Sequence, residues 1–514
     1  MMPQIHLPFQ YATDKNESGL TSFSGLPLYM EMANVSGLCS AIKNRLQTKV
    51  QGWNDLQVIS SLILLNLAGG DCVEDMARLE SDEGLSTILV KAETHGMKRK
   101  ERRAHEKRFR KDKGRALPSV SVVRRYLETF HAEDEESKRV KGSAFIPAPN
   151  DYLQILLSIN SVLVQFAQQK NPAKSATLDQ DATLSETHKR TALYCYEKYK
   201  AYQPFNTYWA EQGMLVHSEF RDGNVPAGFE QLRILKESLA LLPEGIEQLY
   251  LRSDTAGYQK ELLSYCAEGE NERFGVIEFA ISARVTKGFK SAVSQLPDSA
   301  WHSICKEDAR GQRIESGQEW AEVCFVPDWA CKSKKAPDYR YIAIREPMAE
   351  QQEIQGLEPA PLQQELPFQT IHLSNRCYKI FGMVTNRTID GEALIHWQRE
   401  RCGASEKVHA VEKEELTGGQ FPSQKFGANA AWWQIMILAF NLNVLMKQLA
   451  LPVTLATKGL KKLRLYVIGV AGKVIRHARG LVIKLSGDQA TIDLITGIRE
   501  RIAALAIPPP LFIV

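Results

Sequence analysis

Two aspartates two residues apart, Asp179 and Asp181, lie inside the apolar stretch Ala176 to Thr183. A third, Asp254, ends the strand-like run Leu249-Tyr-Leu-Arg-Ser, and Glu406 stands far downstream on a predicted helix. Carboxylates brought together from separate strands repel one another, and a divalent cation is the usual group that offsets this cost. The order of these four acids points to two-metal phosphodiester chemistry.

The elements that position them follow from spacing. Residues i and i+2 of a strand share a face, so Asp179 and Asp181 are expected on one side of a sheet, with Asp181 nearer the strand end. Asp254 falls where a strand passes into a helix capped by Asp254 or Thr255, the edge at which α/β sheets hold ligands; a helix N-cap would place an aspartate there as well. Glu406 lies in a helical run from Trp397 in which Arg399, Glu406 and Lys413 recur every seven residues on one face, with His409 adjacent. A carboxylate flanked by two cations can bind metal while the cations meet the phosphates beside the scissile bond. His302, His372 and His396 lack paired ligand spacing, and Gly418-Gly419 lacks a following Gly-Lys-Ser/Thr, so neither a zinc site nor a nucleotide loop is indicated.

Around these residues the pattern changes along the chain. Residues 1–150 read as helical: Asn54 or Asp55 caps a helix through Leu56, Ile59, Leu62, Ile63 and Leu67 that Gly69-Gly70 ends, and Val120 to Phe130 forms another with Arg124 and Arg125 outward. Short helices with an arginine-bearing face are similar to a helix-turn-helix arrangement. The acidic stretch Glu133–Glu136 and the proline-bearing Gly142–Asn150 form a boundary, after which Asn150 or Asp151 starts a long helix through Ile155, Ile159, Leu163 and Phe166. Strands are predicted at Ala176–Gln180, Ala192–Lys200, Gly213–Phe220, Ile246–Arg252 and Phe274–Ser282, with helices at Pro226–Leu242 and Tyr258–Cys266. Strands alternating with helices imply an α/β fold with a mixed sheet flanked by helices. Residues 291–371 break that rhythm with short strand-like runs and a Gln/Pro/Glu-rich loop, Glu350 to Gln369, and read as an insertion. Residues 372–450 resume it with a strand at Arg376–Thr385, a helix over Gly391–Lys413 and a long apolar helix from Ala428; residues 451–514 form a basic C-terminal region.

Charge is concentrated rather than abundant. The formal net charge is only +4, yet Lys98 to Arg115 holds eleven Lys or Arg, among them Lys98, Arg99, Lys100, Arg102 and Arg103, against three acids. A second basic tract runs from Lys458 to Lys484 without an acidic residue. Such tracts suit a polyanion, because each neutralised phosphate releases condensed counterions; a solvated helix face would look the same. Nine cysteines without a C-x-x-C pair indicate a reduced compartment, and Gln434, Asn441, Asn443 and Lys447 interrupt the most apolar helix, so a cytoplasmic protein with no membrane span is expected.

The ordered elements LDQDAT, AYQPFNTYW (Ala201–Trp209), LRSDTAGY (Leu251–Tyr258), FAISARV (Phe279–Val285), RCGASEKVH (Arg401–His409) and KFGANAAWWQIMILAFNL (Lys425–Leu442) resemble the DDE-type insertion-sequence transposases. Members of that group carry a β-rich insertion in a ribonuclease-H-like core, and the likeness spans about residues 50 to 500. It implies Asp181 or Asp179 as the first catalytic aspartate, Asp254 as the second and Glu406 as the glutamate. The family's Tyr-x2-Arg-x3-Glu-x6-Lys signature is met in part. Lys413 has its spacing from Glu406, while the arginine position holds Cys402, with Arg401 one place early, and the tyrosine position holds Arg399.

The resemblance implies a helical DNA-binding and dimerisation region over 1–150, a catalytic core split between 151–290 and 372–450, and two Mg²⁺ ions, with Mn²⁺ as a substitute. It also implies double-stranded DNA as partner, both as terminal inverted repeats and as target, with a homodimer assembled on it. Trp301, Trp320 and Trp329 of the insertion are candidates to stack on an unpaired base. Two other readings share these residues: a DNA-binding protein descended from a transposase and no longer catalytic, and a structure-specific nuclease of the same fold.

Overall fold

Parallel strands buried on both faces read as continuous apolar runs, and Leu249-Tyr-Leu and Phe279-Ala-Ile are of this kind. In the computed structural model they occupy the middle of a ten-stranded sheet. The structure describes residues 19–49, 51–94, 97–108, 115–308, 310–331, 339–348, 369–373, 376–477 and 480–506. All but the last residue of the Glu350–Gln369 loop, and the end of the first basic tract (109–114), lie outside these. The chain forms two compact units, one of residues 133–148 and 164–413, the other of residues 1–132, 149–163 and 414–514.

The first unit carries the sheet. Its strands are β1 (Ser175–Ala182), β2 (Phe205–Trp209), β3 (Met214–Glu219), β4 (Gln248–Ser253), β5 (Glu278–Ala283), β6 (His302–Glu307), β7 (Arg313–Val323), β8 (Arg340–Pro347), β9 (Thr370–Leu373) and β10 (Arg376–Thr385). They lie in the order β3-β2-β1-β4-β5-β10-β8-β7-β6, with β9 on β10. The β1–β4 and β4–β5 pairs are parallel and the rest antiparallel. Residues 291–371, expected to break the rhythm, instead extend the core sheet: β10 hydrogen-bonds to β5 on one edge and to β8 on the other.

Helices cover both faces, which is what buried parallel strands require. On one face α1 (Gln231–Leu241) sends Gln231 to the Gln180 and Ser253 side chains and Ser238 to Thr207. α2 (Lys260–Ala267) follows β4. On the opposite face lies α3 (Gly391–Ala410), whose Leu394 and Ile395 pack with Ala280, Ile342, Met383 and Trp320. Asp390 caps α3 by accepting from the backbone of Glu392 and Ala393. A five-residue π turn, 411–415, continues the helix.

The second unit is mainly helical. Asn54 and Gln57 form a capping box at the start of Asp55–Ala68, and Arg464 donates to the Asn66 and Leu67 carbonyls at its end. The apolar helix Phe426–Leu449 packs on Asp55–Ala68 and Val120–Glu128. It therefore belongs to this unit and not to the sheet-bearing core in which the sequence placed it. Its interrupting polar residues are satisfied inside the protein: Asn441 donates to Asn160 and Asn443 accepts from Tyr29. No single helix among the described residues is long and apolar enough to cross a membrane. None of the eight described cysteines is paired.

Candidate active site

Register brings the first and second aspartates together. Gln180 of β1 pairs with Ser253, the last residue of β4, so Asp181 on β1 and Asp254 just past the end of β4 follow the same registered pair of adjacent parallel strands. Neighbouring strands run about 4.8 Å apart. Asp254 also accepts from the Ala256 amide at 2.9 Å and caps the turn Thr255–Gly257. Asp254 thus fills the N-cap role that its position at the strand end allows. Burial pushes the Asp254 carboxyl above the usual carboxylate range, and the charge of Asp181 pushes it further. Asp181 is itself raised by burial, against the pull of Arg401 and the Ser405 hydroxyl.

Asp179 shares the face of Asp181 but does different work. Its register partner on β4 is Arg252, which donates from Nε to Oδ1 at 2.6 Å and from Nη2 to Oδ2 at 2.9 Å. Both oxygens are engaged and both side chains are buried. Arg252 also reaches Glu400 on α3 at 3.0 Å. Asp181, with a quarter of its side chain exposed, is the member of the pair that faces Asp254.

Helix α3 supplies the rest of the site. Arg401 Nη1 donates to Asp181 Oδ2 at 3.0 Å, and Ser405 lies one turn further along. Glu406, five residues beyond Arg401, is rotated about 140° from it around the helix. It is exposed, whereas Arg401, Ser405 and Val408 are buried. The expected face of Arg399, Glu406 and Lys413 is not formed as drawn from spacing. Arg399 donates to Gln318 on β7 at 2.8 Å, and Lys413 lies in the π turn within 3.4 Å of the Leu184 carbonyl. Among the described residues no three His, Cys, Asp or Glu side chains are grouped to hold a metal ion. The structure thus gathers Asp181 with Asp254 and leaves Glu406 on the solvent side of α3.

One acid near this face escaped the sequence reading. Glu412 is completely enclosed, its Oε1 accepts from Asn206 Nδ2 at 2.8 Å, and its Oε2 has no hydrogen-bond partner among the described residues. Asn206 is the register partner of Asp181 across β1 and β2. Burial pushes the Glu412 carboxyl up to about 8, the Asn206 bond and Lys413 pull against that rise, and Asp181 adds to it. The available signal was its phase: Glu412 lies eleven residues from Arg401, about three turns, on the same stripe. His409 is held down to about 4 by burial and by the charges of Lys413 and Arg401, and so remains neutral.

The basic candidates of the helical unit are exposed. Lys98, Arg99, Lys100, Arg102 and Arg103 lie on or beside the helix Arg99–Arg108. Arg124 is paired with Glu74, and Arg125 donates to the Ser121 carbonyl. Of the tryptophans of residues 291–371, Trp301 and Trp320 are buried and Trp329 is half-buried. Trp320 is part of the core beneath α3, Trp301 is buried under the Arg345 guanidinium, and Trp329 packs on Tyr339. A cavity of about 1310 Å³ is lined by apolar residues of the helical unit such as Leu28, Ile42 and Leu64, and includes none of these acids.

Comparison with known proteins gives a family for the chain. The sequence profile described as transposase DDE domain group 1 matches residues 12–507. No curated protein matches significantly. Among solved structures, the piggyBac transposase synaptic complex with hairpin DNA aligns over 84% of this chain and 77% of its own, at 8% identity and a TM-score of 0.38.

Proposed function

The chain belongs to the transposase DDE domain group 1 family, and on that premise we propose that it cuts the ends of a mobile DNA element and joins them to target DNA by metal-dependent phosphoryl transfer. The observation that carries this reading is the Asp181–Asp254 pair, two largely buried carboxylates at the carboxyl ends of adjacent parallel strands. A divalent cation fits them, since each acid is raised by burial and the second is raised further by the first. Asp181 and Asp254 would hold it; Glu406, exposed and turned away from Arg401 on α3, is not gathered with them. Two Mg²⁺ ions, or Mn²⁺ in their place, would supply Lewis acidity that lowers the pKa of an attacking water or 3′-hydroxyl and stabilises the leaving oxygen.

The remaining roles fall to the chain's own groups. Arg401 neutralises Asp181 in the state described, and its guanidinium is suited to a phosphate once that pairing is released. Arg399 and Lys413 add cations along the same helix and turn. Neutral His409 can donate or accept a hydrogen bond without adding charge. The exposed helix bearing Lys98, Arg99, Lys100, Arg102 and Arg103, with Arg124 and Arg125, would bind the phosphates of the terminal inverted repeats. Two DNA ends joined in one reaction call for a homodimer assembled on DNA.

The test uses purified protein, Mg²⁺ and labelled duplex carrying the inverted repeats that flank the coding sequence. Joined products are expected from the native chain. Asp254→Asn and Asp181→Asn should abolish both cleavage and joining while end binding persists. Products cut but never joined would favour a nuclease, and a stable uncut complex from the native chain would favour a non-catalytic binding protein.

A further inference from the structure

Between β1 and β2 the chain makes a hairpin that the carboxylate chemistry does not use. The Cys195 amide donates to the Tyr199 carbonyl at 2.8 Å, the Lys198 amide to Cys195 at 3.0 Å, and Tyr194 bridges to Lys200. Lys198 closes the turn at φ 69°, a left-handed conformation normally given to glycine. Cys195 and Ala192 are buried and anchor the hairpin. Either side of Cys195, Tyr194 and Tyr196 stand 64% and 74% exposed, more open than any other described tyrosine.

Surface tyrosines usually lay their rings on the protein, because exposed aromatic area is unfavourable in water. Here two rings are held out by a backbone that is hydrogen-bonded and closed by a residue in a costly conformation. The segment from Thr187 to Lys200 also carries four Lys or Arg against one acid, Glu197. Lys200 Nζ lies 5.9 Å from the centre of the Tyr194 ring and donates to the Arg190 carbonyl. The hairpin lies in the connection that leaves β1 just after Asp181 and enters β2 just before Asn206, the register partner of Asp181.

Exposed aromatic faces interleaved with lysines beside a phosphodiester site match the chemistry of an unpaired nucleic-acid strand, whose bases stack and whose phosphates pair. We propose that this hairpin is a stacking platform for unpaired nucleotides of a DNA end entering the Asp181–Asp254 site. Tyr194 and Tyr196 take the base faces, and Lys198 and Lys200 take the adjoining phosphates. The proposal deepens the transposase reading and rests on it.

The test compares two probes on the full chain in metal-free buffer: a blunt duplex, and the same duplex with a short single-stranded overhang containing 2-aminopurine. The native chain is expected to prefer the overhang and to quench its fluorescence. The Tyr194→Ala/Tyr196→Ala variant should lose roughly 5- to 100-fold of overhang affinity, the range for one stacked base, and the quenching with it. Its blunt-duplex affinity should stay within about twofold, and Tyr194→Phe/Tyr196→Phe should behave as the native chain. Retained quenching and preference in the alanine variant would overturn the proposal, as would an equal loss on both probes. A native chain that binds neither probe would overturn the transposase reading itself.

Discussion

Replacing Glu412 by glutamine should make the protein more stable at mildly alkaline pH and leave it nearly unchanged at mildly acidic pH. Glu412 is enclosed on every side and carries one oxygen without a hydrogen-bond partner among the described residues, so its neutral form suits the folded state. Its carboxyl, ordinarily near 4.5, is pushed up to about 8 by burial. The folded chain thus keeps a proton that the unfolded chain releases. Stability is complete below about 4.5 and is lost as pH rises through about 8. With those two values, linkage gives a loss of roughly 3.5 kcal/mol between about pH 5 and about pH 8. Glutamine retains an acceptor for Asn206 Nδ2 and cannot ionise, so Glu412→Gln should abolish this slope. Urea unfolding followed by circular dichroism at several pH values measures the difference between the two chains, in which every other titrating group cancels. If the native chain and the variant ran parallel across the whole range, Glu412 would be ionised in the folded protein and the account of its burial would be wrong.

Other contacts lead to equally direct expectations. Arg252→Met should destabilise the sheet-bearing unit by about 3–5 kcal/mol, because it leaves Asp179 buried without its counter-charge. Asp179→Leu combined with Arg252→Met should recover much of that loss, and thermal melts of the two variants distinguish pair-breaking from a general packing defect. Gly391→Ala should cost about 1–3 kcal/mol in urea unfolding, since a Cβ there would meet the Trp320 ring. Changing Lys98, Arg99, Lys100, Arg102 and Arg103 together to serine should reduce the slope of log affinity against log salt for duplex DNA by up to about 4.5. An unchanged slope would remove that helix from the DNA interface.

The parts of the fold legible in the sequence were those set by local rules. The Asn54 cap, the start of α3 near Gly391 and the strands ending at Ser253 and Ala283 all appear within a few residues of where periodicity and turn residues put them. Pairing across the chain was less legible. Nothing in residues 291–371 announces that β8 will join β10, because an edge partner is chosen by tertiary register and not by the strand's own pattern. The same holds for Phe426–Leu449, whose apolar surface says that it is buried but not in which unit. At the site, alternation placed Asp179 and Asp181 on one face, yet only the parallel register opposite Arg252 and Ser253 separates a salt-bridged aspartate from one that meets Asp254. Glu412 was hidden for a further reason: a charged residue in a polar-looking helix reads as exposed until the neighbouring sheet is known to cover it.

The same register explains why Arg401 and Asp254 compete for one partner. Asp181 lies between them, bonded to Arg401 at 3.0 Å and repelled by Asp254 on the adjoining strand. An arginine on one side lowers the cost of two buried carboxylates on the other, which lets the pair persist without requiring either acid to be protonated throughout. A cation placed between the two aspartates would take over that role and leave the guanidinium with less reason to face Asp181. Arg401→Gln should therefore increase the affinity of the DNA-free protein for Mn²⁺, measured by the loss of the free-ion electron paramagnetic resonance signal. The magnitude is bounded by the worth of a charge-assisted hydrogen bond, about 1.5–3 kcal/mol, or roughly tenfold to a hundredfold in affinity. An unchanged or weaker affinity would mean that Arg401 orders Asp181 for the ion and does not stand in for it.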